Sequence, residues 1–147
     1  MKKLLIGIVS ALVLLTNVVT PKAAEGLPYT EGSVFEMTFI RILQGGYDAY
    51  MKFVQGEWKK VNEAAKQEGL ILSYRVGAAP AANKEDWDLV LIIEYKNMAA
   101  LDGMDEKFRG VSEKVAGSSK EQEKRAEERS KIREVLGTKL VRELILK

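Results

Sequence analysis

The side chains left for chemistry in this chain are carboxylates, tyrosines and arginines, because the 147 residues contain neither histidine nor cysteine. Histidine-based acid–base catalysis, Ser-His-Asp and Cys-His nucleophiles, thiolate chemistry and histidine-ligated zinc or haem are thereby removed. Among the carboxylates, Glu36 and Glu94 lie in segments that read as strands, as do Arg41 and Arg75. A carboxylate pair held in an enclosed space could serve proton transfer. The plainer reading, and the favoured one, is a cross-strand ion pair of Glu94 or Glu36 with Arg75 or Arg142. Arg75 could instead hold an anionic ligand. Among the aromatics, Tyr47, Tyr50 and Trp58 recur at helical spacing. Trp58 could wall a small-molecule cleft and either tyrosine hydroxyl could reach a ligand at its mouth, although core packing is the commoner fate of such a stripe. Ligand contacts are therefore expected first at Tyr47, Tyr50, Trp58, Arg75 and Glu94. Glu85, Asp86 and Asp88 form an acidic group whose spacing does not match a calcium loop, and no metal or cofactor is expected.

These groups need elements to position them. Val34 to Leu43 reads as a strand with apolar residues on both faces: Phe35, Met37 and Phe39 on one, Val34, Ile40 and Ile42 on the other beside Glu36 and Thr38. Gly45 and Gly46 end it. Tyr47, Tyr50, Met51, Val54, Trp58, Val61 and Ala65 then mark one face of a helix over 47–67, weakened by Gly56 and stopped by Gly69. Strands are expected at Leu70–Val76 and Trp87–Tyr95, joined as an antiparallel hairpin because ten loop residues are too few for a crossover helix. Asn97 is placed to cap a helix over Met98–Phe108. The charged run 120–134, with Glu121–Arg125 and Glu127–Lys131 at helical spacing, predicts a solvated helix, with Ser119 and Gln122 as a capping box. Gly137 is expected to end it, before a last strand over Lys139–Leu146.

The order β-α-β-β-α-(α)-β predicts an α+β, ferredoxin-like domain: a four-stranded antiparallel sheet with helices on one face. The other face stays partly apolar, which argues for a homodimer.

The amino terminus reads as an address. Lys2 and Lys3 precede the nearly apolar stretch Leu4–Val19, the pattern of a secretory signal. A cut near Ala23 or Ala24 is expected, against the rival reading of a plain N-terminal anchor. The expected organisation is a signal peptide over 1–24, a flexible lead-in over 25–33 and one domain over 34–147, exported to the periplasm or beyond, with no stable membrane span after processing. Lys2, Lys3 and Lys22 fall in the signal, so 23 basic residues become 20 against 21 acidic ones. A near-neutral domain lacks the basic footprint of a nucleic-acid binder. The expected partners are a small apolar or aromatic molecule and a second copy of the chain.

From Val34 to Leu146 the chain resembles the dimeric α/β barrel superfamily, which includes small monooxygenases of the antibiotic-biosynthesis type, muconolactone isomerase-like proteins, stress-responsive barrels and exported relatives without an assigned activity. The resemblance rests on the element order, the aromatic first helix with Tyr47, Tyr50 and Trp58, the Trp87–Tyr95 strand and the short terminal strand. It implies a ligand cleft between sheet and helices, or inside a dimeric barrel. Haem-using members rely on a histidine that is missing here, so the resemblance leaves cofactor-free oxygenation or isomerisation as the enzymatic alternative to simple binding. A purely structural dimerisation module is the third reading.

Overall fold

The computed structural model describes residues 26–147. The expected signal over 1–24, with its cut near Ala23 or Ala24, lies outside the described residues. In chain order the elements are β1 (Tyr29–Ile42), α1 (Tyr47–Phe53), a π-helical turn (Val54–Trp58), α2 (Lys59–Gln67), β2 (Ser73–Ala78), β3 (Leu89–Tyr95), a 3₁₀ turn (Met98–Leu101), α3 (Met104–Ala116), α4 (Ser119–Ser130) and β4 (Arg133–Leu146). The strands form one antiparallel sheet in the order β2-β3-β1-β4. With the helices on one face, this is the ferredoxin-like α+β arrangement. Among the described residues no helix is long and apolar enough to cross a membrane.

The register decides which residues meet the helices. Val34 lies opposite Tyr95, Glu36 opposite Ile93, Thr38 opposite Leu91 and Ile40 opposite Leu89, so these eight share one face. Val34, Ile40, Leu89, Leu91 and Tyr95 are buried there, in two clusters. One cluster joins Val34 and Tyr95 to Ala65, Ile71, Met104 and Val111. The other joins Ile40, Leu89 and Leu91 to Tyr50 and Val54. The opposite face carries Phe35, Met37, Phe39 and Ile92, each half-buried, without a helix over it. Trp87 packs beside Phe39, ring centroids 5.7 Å apart, and Val90, opposite Phe39, is buried at that end.

Several boundaries differ from those expected, each for a tertiary reason. β1 begins at Tyr29 rather than Val34, because Tyr29, Thr30 and Glu31 pair with Leu146, Ile145 and Leu144. β4 begins at Arg133 rather than Lys139 and runs through Gly137, where a register shift against Phe39 and Ile40 marks a β-bulge. Gly137 therefore bends a strand instead of ending a helix. The helix expected over Met98–Phe108 is divided at Gly103, which adopts φ +66°, so Asn97 caps only the 3₁₀ turn, accepting from the Ala100 amide at 3.0 Å. α4 is capped one residue earlier than expected: Ser118 and Glu121 form the reciprocal box, where a carboxylate rather than an amide sits at the positive helix start. The helix over 47–67 keeps its expected length, but the weak point at Gly56 widens into the π turn.

Candidate functional site

The residues expected to meet a ligand do not converge. Tyr50 is 1% exposed, packed among Ile40, Val54, Leu89 and Leu91, with its ring tilted 5.6 Å from Phe53. Burial pushes its hydroxyl pKa up, against the pull of Arg133 and Arg129. Tyr47 opens α1 and is 52% exposed. Trp58 sits at the end of the π turn, edge-on to Tyr74 at 5.5 Å, and lines a shallow groove of about 380 Å³ with Met51, Val54 and Val76. Arg75 and Glu94 are paired with each other at 3.1 Å on the helix-free face. Ser73 Oγ also donates to Glu94 at 2.6 Å. The hydroxyl of Ser73, then those of Ser33 and the Arg75 guanidinium, hold Glu94 below the usual carboxylate range despite partial desolvation. Of the readings weighed for Glu94, the cross-strand ion pair is the one present. Glu36 and Glu94 do not form a carboxylate pair: Glu94 lies opposite Phe35 and Glu36 opposite Ile93, which puts them on opposite faces of the sheet. Asp86 and Asp88 serve the backbone. Asp86 accepts from the Ala82 and Trp87 amides at 2.9 Å each, and Asp88 accepts from the Ile42 amide at 2.7 Å.

A larger cavity lies elsewhere, as an open cleft of about 830 Å³ between the sheet and the α3–α4 corner. Ile93, Leu101, Met104, Phe108 and Leu140 form its apolar walls. Glu36, Tyr95, Asp105, Arg109, Ser112, Ser119, Gln122 and Thr138 bring polar groups to it. The α3 contribution follows from helical spacing: Met104, Phe108 and Val111 turn one stripe to the sheet, and Asp105, Arg109 and Ser112 follow along its margin. α4 is fastened over this corner by charge. Glu57, presented by the π turn, accepts from Arg125 Nε at 2.7 Å and lies 3.7 Å from Arg129, whose guanidinium stacks 3.9 Å over Phe53. Ser112 donates to Gln122 at 2.6 Å, and Gln122 donates to the Gly117 carbonyl at 2.7 Å, which fixes the α3–α4 turn beside the cleft.

Inside the cleft the Tyr95 hydroxyl donates to Glu36 at 3.3 Å. Burial first, then the charge of Glu36 and its hydrogen bond, then Asp105, push the Tyr95 pKa well above 10.0, so the phenol stays protonated at neutral pH. Nearby, the hydroxyls of Thr38 and Thr138 are 3.1 Å apart. Glu36 is thus a hydrogen-bond acceptor on a floor shared with Ile93 and Leu140, with the neutral Tyr95 donor beside it and the threonine hydroxyls nearby. Its signal was present in the sequence, as a carboxylate on the Val34–Ile40 face. What the sequence did not carry was the partner, since Tyr95 reaches Glu36 only through the β1–β3 register.

No protein-family model matches the sequence, and no curated protein is significantly similar to it. Among solved structures, the crystal structure of HapK from Hahella chejuensis is similar in fold, at 16% sequence identity over 74% of this chain and 90% of that one, with a TM-score of 0.47. A likeness at that level carries no argument about function.

Proposed function

We propose that this chain is an exported small-molecule-binding protein that works as a homodimer, taking a compact apolar or aromatic ligand into the cleft between the sheet and the α3–α4 corner. The observation that carries the reading is the cleft itself: about 830 Å³, walled by Ile93, Leu101, Met104, Phe108 and Leu140, with Glu36 and Tyr95 on its floor. That combination of apolar walls and a few convergent polar groups suits a ligand of modest size. In this reading a signal over 1–24 is removed, and a lead-in over 25–33 precedes the domain over 34–147. The helix-free face, with Phe35, Met37, Phe39 and Ile92 half-exposed, supports a dimeric barrel in which two such faces turn toward each other.

A titration with the neutral fluorophore N-phenyl-1-naphthylamine tests the reading. Saturable emission that Phe108→Ser weakens about tenfold, with the fold intact by circular dichroism, is expected from the loss of a ring's apolar contact. Absence of saturable binding, or binding indifferent to Phe108, sinks it. The Glu36–Tyr95 hydrogen bond favours a second reading, a cofactor-free isomerase or monooxygenase in which Glu36 takes a proton from a bound quinol-like substrate. Oxygen uptake or isomer formation with a hydroquinone panel, abolished in Glu36→Gln, would support turnover. Saturable binding without product would leave the chain a binder.

A further inference from the structure

The edge strand β4 is unusual in being apolar and exposed along its length. Leu140, Val141, Leu144 and Ile145 are each 41–52% exposed, and Leu146 is 77% exposed. β4 is paired only with β1 among the described residues, which leaves one row of its backbone donors and acceptors unpaired. Its charges are divided. Glu134 pairs with Arg41 at 2.5 Å, and Arg142 pairs with Glu31. Lys139 and Glu143 have no ion-pair partner among the described residues, and both lie on the helix-free face with Val141, since alternate residues share a face.

We propose that β4 pairs antiparallel with β4 of a second copy, centred on Val141, and that this partner strand completes the ligand cleft. The register follows from charge. In a two-fold antiparallel pair between straight strands, each residue must face one of the same parity, so the centre falls on a residue. Downstream of the bulge, a centre at Lys139, Arg142 or Glu143 sets that charge against its own copy. A centre at Val141 sets Lys139 against the partner's Glu143, twice by symmetry, with no like charges opposed. Centres at Leu140 or Leu144 leave Lys139 and Glu143 unpaired, and a centre at Ile145 pairs Glu143 with the partner's Lys147 but leaves Lys139 without a partner over a shorter overlap. On the helix-side face the same register sets the partner's Leu144 opposite Thr138 and the partner's Arg142 opposite Leu140. Thr138 and Leu140, on β4, line the cleft. The partner's Leu144 and the aliphatic stem of its Arg142 then supply the wall that one copy lacks.

The inference rests on the ligand reading for its second part, and the tests separate the two. Because the chain has no cysteine, Val141→Cys provides a single probe. It should form a disulfide-linked dimer under mild oxidation, since directly opposed residues are about 4.5–5.5 Å apart between Cα atoms. Leu140→Cys should not link to itself, because its copy lies diagonally. By sedimentation, Lys139→Glu and Glu143→Lys should each weaken dimerisation about tenfold, and the double exchange should restore it. N-phenyl-1-naphthylamine should bind the dimer and lose about tenfold in affinity to Lys139→Glu at concentrations where sedimentation shows that variant to be monomeric. A monomer at all concentrations, efficient linkage at Leu140→Cys but not Val141→Cys, or no rescue in the double exchange overturns the register. Equal probe affinity in monomer and dimer overturns completion of the cleft. Dimerisation and linkage as expected with no probe binding in either state would remove the ligand reading and, with it, the completed cleft, while the β4 pairing stands.

Discussion

Two hydrogen-bonded residues show how the same chemistry is used for different ends on the two faces of the sheet. Glu94, beside Ser73 and Arg75, is a stabilising carboxylate whose folded pKa is lowered. Its contribution is therefore present above the ordinary glutamate value and lost as pH falls through the folded one. Ser73→Ala should cost about 1 kcal/mol at pH 7, measured by urea unfolding, with the difference from the parent fading as Glu94 becomes protonated. Equal losses at pH 7 and at a pH low enough to protonate Glu94 in the folded chain would show that the serine does not act through the ionised carboxylate. Tyr95 has the opposite sign. Its folded pKa is raised by burial and by Glu36, so its contribution is complete below 10.0 and is lost as pH rises from there toward the folded value. Phenolate absorbance should show Tyr95 ionising late, with Tyr50 and Tyr74 also delayed and Tyr95 identified by its loss in Tyr95→Phe. In Glu36→Gln that titration should move toward neutral pH, and an unchanged late titration would separate Tyr95 from Glu36.

At the level of elements, the first helix matters most, because the π turn is both a weakness and a device. Gly56 has open space where a Cβ would stand and no positive φ. Gly56→Ala should therefore stabilise the chain by roughly 0.5–1 kcal/mol in thermal or chemical unfolding. A loss of stability would mean that the π turn needs glycine for a reason other than space. The turn's use is to present Glu57 to Arg125 and Arg129. Glu57→Gln should cost about 2 kcal/mol and lower amide-exchange protection across α4 more than across α3. α4 has no buried residue of its own, so these contacts and the Arg129–Phe53 stack do much to hold it beside the cleft. The helix and hairpin were legible here because their signals are local: the Tyr47–Ala65 stripe and the ten-residue loop between the β2 and β3 sequences. Strand ends and the Ser118 cap were not, because pairing with a distant strand or a choice between two adjacent caps decided them.

For the whole molecule, uncovered apolar surface unites the sheet and its edge. Phe35, Met37, Phe39 and Ile92 form the centre of the helix-free face, while the largest apolar exposure runs along β4. Met37 lies between Ile92 and Lys139 at that centre. If two faces meet in a barrel, Met37→Lys should dissociate the dimer in sedimentation while circular dichroism keeps the monomer's spectrum, since an ammonium group beside Lys139 would be buried without a partner. If association survives Met37→Lys but not the Lys139 and Glu143 exchanges, the copies join at the edge without closing their faces.

The sequence by itself determined the element order, the helix face through Tyr50 and Val61, the antiparallel hairpin and the absence of thiol and imidazole chemistry. Each follows from residue type or from periodicity over a few turns. Tertiary structure alone decided where chemistry could gather. The β1–β3 register separated Glu36 from Glu94 and joined Glu36 to Tyr95, because a strand's side chains alternate and a shift of one residue exchanges its faces. The packing of helices on the sheet buried Tyr50, left Tyr47 outside and placed the 830 Å³ cleft at Phe108 and the α3–α4 corner. Those outcomes depend on contacts between residues tens of positions apart, which local spacing does not encode.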